Sequence, residues 1–373
     1  MPDAPQQFVH LHLHSQYSLL DGGNRLDRLI KRVQELGMTA VAVTDHGNLF
    51  GAAEFYNRAK DAGVKPILGI EAYVAPDHNG RSDRRCKEYT GVSDGGFHLV
   101  LLAETQAGWQ HLLKLSSDAY IEGFYYKPRM DKDTLRQWSA GLIAINGHLG
   151  SSIAHHLMQF VKTRDEKHYA AAKAEAIWHA ETFPPNERGE PCFYLELQRH
   201  QTQEQLDINP HIVRLADELN LPLVCDNDAH FLLEEDWDTH DTLCCISMGK
   251  IKSEENRLYY PRDLFVRSPE QMWKQFHRDD IEIPRERGLE ALQNTVKIAD
   301  RCDAHIDFGA NHAPVVKVRY AGDNLYTGAT DKLALERTGL PYRFSAGGHA
   351  RGRDKLVSAL VYSAKARGPG PKV

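Results

Sequence analysis

The chain has 373 residues, 42% of them hydrophobic and 26% charged, with a formal net charge of −6. That composition supports a large globular core and excludes a global basic field, so any contact with nucleic acid must come from a local patch or from bound cations. No apolar run approaches the roughly 20 residues of a membrane helix, and MPDAPQQ at the start lacks the basic and apolar parts of a signal peptide, so a cytoplasmic protein is expected. The six cysteines form no C-x-x-C pair, which signals neither a disulfide framework nor a thiolate zinc site. Twenty histidines point instead to imidazole and carboxylate ligands, if a metal is bound.

In chain order, residues 8–13 read as a strand, followed by a helix capped by Asn24 with Leu26, Leu29, Ile30 and Val33 on one face and Gly37 at its end. Residues 40–43 form a buried strand. Asn48 is placed to cap a second helix, with Ala52, Phe55, Tyr56 and Ala59 turned inward and Gly63 as its stop. Residues 66–74 and 97–102 give a third and a fourth strand, with a helix near 109–115 after them. Further strands are expected at 141–145, 193–197 and 222–225, and helices at 153–161, 169–182 and 205–219. Repeated strand–helix units imply parallel strands with crossover helices. About seven of them suggest a closed or nearly closed α/β barrel, the alternative being an open doubly wound sheet. From 236 to 308 the pattern is mostly helical, with one strand-like piece at 258–266, and QNTVKIADRC reads as a closing helix.

The resulting division is a barrel over 8–235, a helical extension over 236–318 and a tail over 319–373. The tail holds ten Lys and Arg against four Asp and Glu, is rich in glycine and has little apolar periodicity. It is expected to be poorly ordered rather than a nucleic-acid arm, since no aromatic residues interleave its charges.

Chemistry-bearing residues recur at the strand ends. In His10-Leu11-His12-Leu13-His14 the residues two apart share a strand face, so His12 and His14 can bind one ion together, and Asp21 follows on the next loop. An ordinary strand with a polar outer face would read the same way. After AVAV comes Thr44-Asp45-His46-Gly47-Asn48; a helix-capping turn accounts for Asn48 but not for His46. Glu71 ends the apolar run PILGIE, where burial is costly unless the carboxylate is paired, for instance with Lys65, or bound to metal. His98 stands in FHLVLLA, where a hydrogen-bonded core histidine is the plain reading. His148 follows a strand in GLIAINGH, where it could equally be an exposed turn residue; His155 and His156 on the next helix read as bystanders. Asp228-Ala229-His230 repeats the two-apart logic after PLVC. If the strands close a barrel, all these ends meet on one rim. Nine such side chains exceed the needs of one tetrahedral zinc and suit two or three ions.

HLHLHSQYSLLDG, AVTDHGNLFGAAEFYNRAKDAGVKPILGIEAYV, FHLVLLA, YIEGFYYKPRMD, DNDAHF and LFVRSPEQM together resemble the polymerase and histidinol phosphatase (PHP) domain. The TDHGNLFGAAEFY and EGFYYKPRMD segments favour the version at the N-terminus of bacterial DNA polymerase III alpha subunits, and the likeness spans about residues 9–318. It implies a distorted seven-stranded (β/α) barrel with a mostly helical C-terminal extension, and two to three divalent ions, zinc or manganese. By that resemblance His12, His14 and Asp228 would hold one ion, Glu71 would bridge to a second completed by His98 and His148, and Asp21, His46 and His230 would hold the third. Glu71, Asp228, His12 and His14 would be the catalytic set. Many relatives carry cysteine where His148 stands, and some have lost several ligands and keep the domain as a scaffold.

The implied reaction is metal-assisted phosphodiester hydrolysis at a DNA 3′ end, a 3′–5′ proofreading exonuclease, with other replicative polymerase subunits as further partners. Lys127 and Arg129 are candidates to hold substrate phosphates, or else plain surface charges. A non-catalytic metal-stabilised scaffold and a stand-alone histidinol-phosphatase-like phosphoesterase are the competing readings. After PVVKV the likeness ends, and the polymerising carboxylates of an alpha subunit have no counterpart here. Truncation or a shifted reading frame would explain the basic tail.

Overall fold

Alternation along the strands sorts their side chains into two cores. Ala40 and Ala42, Ile67, Val100 and Leu102, Ile143 and Ile145, Tyr194 and Val224 pack together, while Val41, Val43, Leu68, Ile70, Leu99, Leu101, Ala144, Leu195 and Leu223 face helices. The first set fills the inside of a curled sheet and the second lies between that sheet and its helical cover. A computed structural model describes residues 7–76, 80–82, 96–278, 282–309, 318–319 and 325–326.

The strands are β1 (Ala40–Val43), β2 (Lys65–Val74), β3 (Phe97–Ala103), β4 (Arg129–Met130), β5 (Leu142–Asn146), β6 (Phe193–Leu197) and β7 (Leu223–Cys225). They form one seven-stranded sheet in the order β1-β2-β3-β5-β6-β7, with β4 paired to the end of β2. Ala40 pairs with Lys65, Val100 with Ile145 and Leu195 with Leu223. The helices are α1 (Leu26–Glu35), α2 (Ala52–Asp61), α3 (Gln106–Ile121), α4 (Lys132–Trp138), α5 (Ser152–Thr163), α6 (Glu166–Thr182), α7 (Gln203–Leu219), α8 (Trp237–Met248), α9 (Pro269–Phe276) and α10 (Arg285–Arg301).

Two expectations about the sheet need correction. β3 runs antiparallel to both β2 and β5, so the sheet is mixed rather than parallel. The segment 8–13 is no regular strand. It closes the barrel as an irregular extended stretch, accepting from Ala42 N–H at the His10 carbonyl and from Thr44 N–H at the Leu13 carbonyl, while His14 N–H donates to Ala229 O. Two of its own N–H groups, those of Leu11 and His12, donate instead to one oxygen of Asp226, at 2.6 and 3.1 Å. That shared acceptor kinks the chain, so Val9 and Leu11 enter the barrel interior below His12 while Leu13 turns to the outer core.

Other differences are local. Asn24 does not cap α1; its side-chain amide donates to His14 O and Ala229 O, tying the closing segment to the loop after β7. Asn48 accepts from Phe50 N–H, a turn before α2 rather than its cap. Gly37 and Gly63 stop α1 and α2 at φ of 69° and 72°, as expected. The strand-like piece at 258–266 reduces to one bridge between Phe231 and Phe265. α10 closes the floor, with Ile298, Ala299 and Cys302 in the interior core. The chain divides into two compact units, Met1–Ile306 and Asp307–Val373. Of the second, the paired strands Val318–Arg319 and Leu325–Tyr326 are described, and the expected disorder over the rest of 319–373 lies outside the described residues.

Candidate metal centre

The nine side chains singled out in the sequence meet at the mouth of the barrel. Asp228 Oδ1 lies 3.3 Å from His12 Nε2 and 3.0 Å from His14 Nε2. The carboxylate of Glu71 lies between two groups: Oε1 is 3.3, 2.9 and 3.0 Å from His12, His98 and His148, and Oε2 faces His14 and His46. Lys65, the alternative partner for Glu71, donates instead to Asp300 O. His46 Nε2 is 3.4 Å from Asp21 Oδ2, and the His14 and His230 rings lie 4.3 Å apart. His12 and His14 are fully buried and Glu71 nearly so.

Why the ring nitrogens face one another follows from what holds their far sides. Glu196 Oε1 accepts from His12 Nδ1 at 3.0 Å and Oε2 from His148 Nδ1 at 3.1 Å. Ser18 Oγ donates to Asp45, so it accepts from His14 Nδ1. His230 Nδ1 donates to the Asp228 carbonyl at 2.8 Å. In each of these four imidazoles Nδ1 carries a hydrogen, and Nε2 is the nitrogen turned toward the centre. All four Nε2 atoms are buried without a hydrogen-bond partner, together with Asp21 Oδ1, Glu71 Oε2 and Asp228 Oδ1. Some lie within ion-pair distance of a carboxylate, but none is aligned for a hydrogen bond. So many orphaned nitrogens and oxygens around one point are explained by a cation, because unsatisfied buried polar atoms are otherwise rare and costly. The residues fit divalent metal.

Electrostatics agree. Burial opposes charge throughout, yet the surrounding imidazoles hold Glu71 and Asp228 well below the usual carboxylate range and Glu196 down at about 2. Against the same burial, Asp228, Glu196 and Glu71 raise His12 well above its ordinary value, and Glu196 and Glu71 carry His148 up to about 9. His14, buried beside His46 and His230, is pushed down to about 3. The carboxylates are therefore ionised near neutrality, the form that binds metal, while His12 and His148 hold a second proton at Nε2 that a metal would displace.

Several residues of the site went unseen in the sequence. Glu196 is a carboxylate inside the apolar run FYLEL, the same signal that marked Glu71. Asp45, visible beside His46 in the sequence, has a supporting role that was not: it takes Ser15 N–H, Ser15 Oγ and Ser18 Oγ within 2.8 Å and fixes the loop that positions His14 and His46. From the helical extension, Tyr260 donates to Asp21 Oδ2 and His240 to Asp21 O; nothing local in the sequence could reveal that. His10, two residues before His12 and of the same parity, lies outside the cluster; its ring meets Asp226 and Arg267 O. Of the two proposed phosphate binders, Lys127 lies beside the centre, its Nζ 3.3 Å from Tyr73 OH. Arg129 does not serve: it is 1% exposed and donates to the Gly123 and Arg81 carbonyls, so it braces the loop.

A barrel whose rim gathers a buried histidine and carboxylate cluster defines a protein with a candidate divalent-metal site. The PHP domain model matches residues 10–200, and the chain belongs to that family. Over 298 residues it is 40% identical to the DNA polymerase III subunit alpha of Borreliella burgdorferi, covering 80% of this chain and 24% of that protein. The alpha subunit of Deinococcus radiodurans is 40% identical over 319 residues, 83% of this chain and 22% of its own. This chain thus spans about a quarter of the length of these relatives. Among solved structures, a two-domain Bacteroides vulgatus protein containing a predicted PHP-like metal-dependent phosphoesterase aligns at 15% identity and a TM-score of 0.36, over 63% of this chain and 55% of that one. Among the described residues, no helix is long and apolar enough to cross a membrane.

Proposed function

We propose that the chain is a metal-dependent phosphodiesterase acting on DNA 3′ ends, the 3′–5′ proofreading part of a replicative polymerase, with other polymerase subunits as partners. His12, His14, Asp21, His46, Glu71, His98, His148, Asp228 and His230 are assigned as ligands of two to three divalent ions, zinc or manganese, over a barrel of residues 8–235 completed by an extension to 318. The observation that carries this reading is the set of four inward Nε2 atoms and three carboxylate oxygens buried together without hydrogen-bond partners. Divalent ions, if held by these nine side chains, would supply an activated water and neutralise charge developing on the phosphoryl oxygens.

The chain's own residues position that chemistry. Glu71 presents one oxygen to each half of the cluster, which suits a bridge between two ions. Glu196 and Ser18 fix the tautomers of His12, His148 and His14 before any ion arrives. Asp21, His46, His98 and Asp228 keep side-chain exposures of 14–19%, so the centre opens to solvent on their side. Lys127 stands near that opening, within reach of a substrate phosphate. An imidazole at position 148 and four carboxylates nearby favour zinc or manganese over softer ions. The test is elemental analysis of the purified chain combined with release of nucleotides from 3′-labelled single-stranded DNA. Two to three ions and processive release are expected. Less than one ion after metal supplementation overturns the assignment; metal without hydrolysis reduces the domain to a scaffold.

A further inference from the structure

Beside the centre's open side lies a group of exposed aromatic rings that the chemistry leaves unused. Phe50, four residues after His46, is 58% exposed; Phe124 is 54% and Tyr126 79% exposed, with Tyr120 at 36%. Phe50 and Tyr120 lie 5.7 Å apart between ring centroids, and Tyr120 and Phe124 stack at 6.0 Å with an interplanar angle of 28°. Single exposed apolar residues need no explanation, but rings from two distant stretches of chain in mutual contact do. Tyr126 adds a second anomaly. It sits at φ 60°, at the tip of a tight turn where Tyr125 N–H donates to Lys127 O, and that left-handed backbone leaves its ring largely exposed, packed edge-on against Tyr125 at 4.6 Å.

The ledge connects to the metal centre. Lys127, next to Tyr126, lies 5.1 Å over the Tyr73 ring, and Tyr73 packs edge-on against His98 at 5.0 Å. The path from ligand to surface is therefore His98, Tyr73, Lys127 and then the exposed rings. We infer that Phe50, Tyr120, Phe124 and Tyr126 form a stacking platform for the bases of a single DNA strand whose 3′-terminal phosphodiester lies at the metal centre. The surface is aromatic rather than aliphatic, carries a cation at its inner end and adjoins a site built for phosphoryl chemistry. A π-face is common to all four bases, so such a platform accepts any sequence, as an unspecific exonuclease requires. Phe50 is held in place by the bond from its N–H to Asn48 Oδ1, which anchors the ledge to the loop that carries His46.

This inference rests on the proposed DNA substrate, and its test separates the two. The full chain with manganese is titrated against a single-stranded oligothymidylate with hydrolysis-resistant phosphorothioate linkages, followed by fluorescence anisotropy. The same strand with abasic sites at its three 3′-terminal positions serves as comparator. The native chain should bind the abasic strand about 5- to 150-fold more weakly for each base that stacks. A Phe50→Ala, Tyr120→Ala, Phe124→Ala, Tyr126→Ala variant should bind both strands alike and at the weaker level; the same four positions changed to Leu repeat the test with apolar bulk retained. Equal affinity of the native chain for the two strands overturns the platform, as does a variant that still prefers bases, which would assign the ledge to a protein partner. Hydrolysis is read on the native chain with bis(p-nitrophenyl) phosphate. Its absence counts against the phosphodiesterase and leaves the base-dependence measurement intact.

Discussion

Glu196 holds the far nitrogens of both His12 and His148, one with each oxygen, while Gln198 donates to it at 2.7 Å. Its charge raises the basicity of two ligands and its geometry fixes their rotation, so its loss acts through the metal rather than the fold. Glu196→Gln should therefore weaken metal affinity about 10- to 100-fold, read by competition with a chromogenic chelator on protein whose far-UV circular dichroism remains native. Unchanged affinity would show that these imidazoles are oriented by other contacts. Glu71→Gln and Asp228→Asn test the ligands themselves and should each abolish hydrolysis with little change in far-UV circular dichroism. Asp228 sits at φ 46°, a conformation that asparagine tolerates as well as aspartate, so the second substitution removes charge without adding backbone strain. Hydrolysis at the native rate in both variants would place the active site elsewhere.

Among the elements, the closing segment before α1 is held as much by side chains as by a ladder. Asp226 accepts from the buried N–H groups of Leu11 and His12 and from Asn227 N–H. Asp226→Ala would leave buried donors unsatisfied, at about 1–3 kcal/mol each. A loss of about 3 kcal/mol or more in stability, measured by urea unfolding, is expected together with loss of metal, because His12 and His14 lie on the released segment. A loss below 1 kcal/mol would mean that water substitutes for the carboxylate. The same segment shows what the sequence conveys and what it does not. Residues 8–13 read as a strand because apolar and polar positions alternate; the kink depends on a carboxylate more than 200 residues away. The reversed direction of β3 is likewise silent, since a buried strand such as FHLVLLA has the same apolar pattern in either direction. The histidine and acid positions at the strand ends were legible because a charged or imidazole side chain ending an apolar run is expensive without a partner. Tyr260 and His240 escaped, because each reaches Asp21 through tertiary contact alone.

At the scale of the whole molecule, the centre joins elements that are far apart in the chain: the closing segment, the ends of β1, β2, β3 and β5, and the loop after β7. Without a cation, several carboxylates and imidazoles face one another with buried nitrogens and oxygens unsatisfied, so metal binding and folding are coupled. An ion that binds the native state but not the unfolded one adds about 2.7 kcal/mol when free metal is a hundredfold above its dissociation constant. For a chain of this size that corresponds to roughly 3–5 °C in melting temperature. Chelation of the metal-loaded protein should lower the melting temperature by that amount, and re-addition of zinc or manganese should restore it. The metal-dependent part should be absent in Glu71→Gln, which separates specific binding from a general salt effect. It should persist undiminished in a chain ending at residue 318, because all nine assigned ligands and Glu196 lie within the first compact unit. A shift that vanishes on that truncation would show that residues beyond 318 complete the metal centre. A native chain indifferent to chelator would show that the inward nitrogens and oxygens are stabilised by something other than metal.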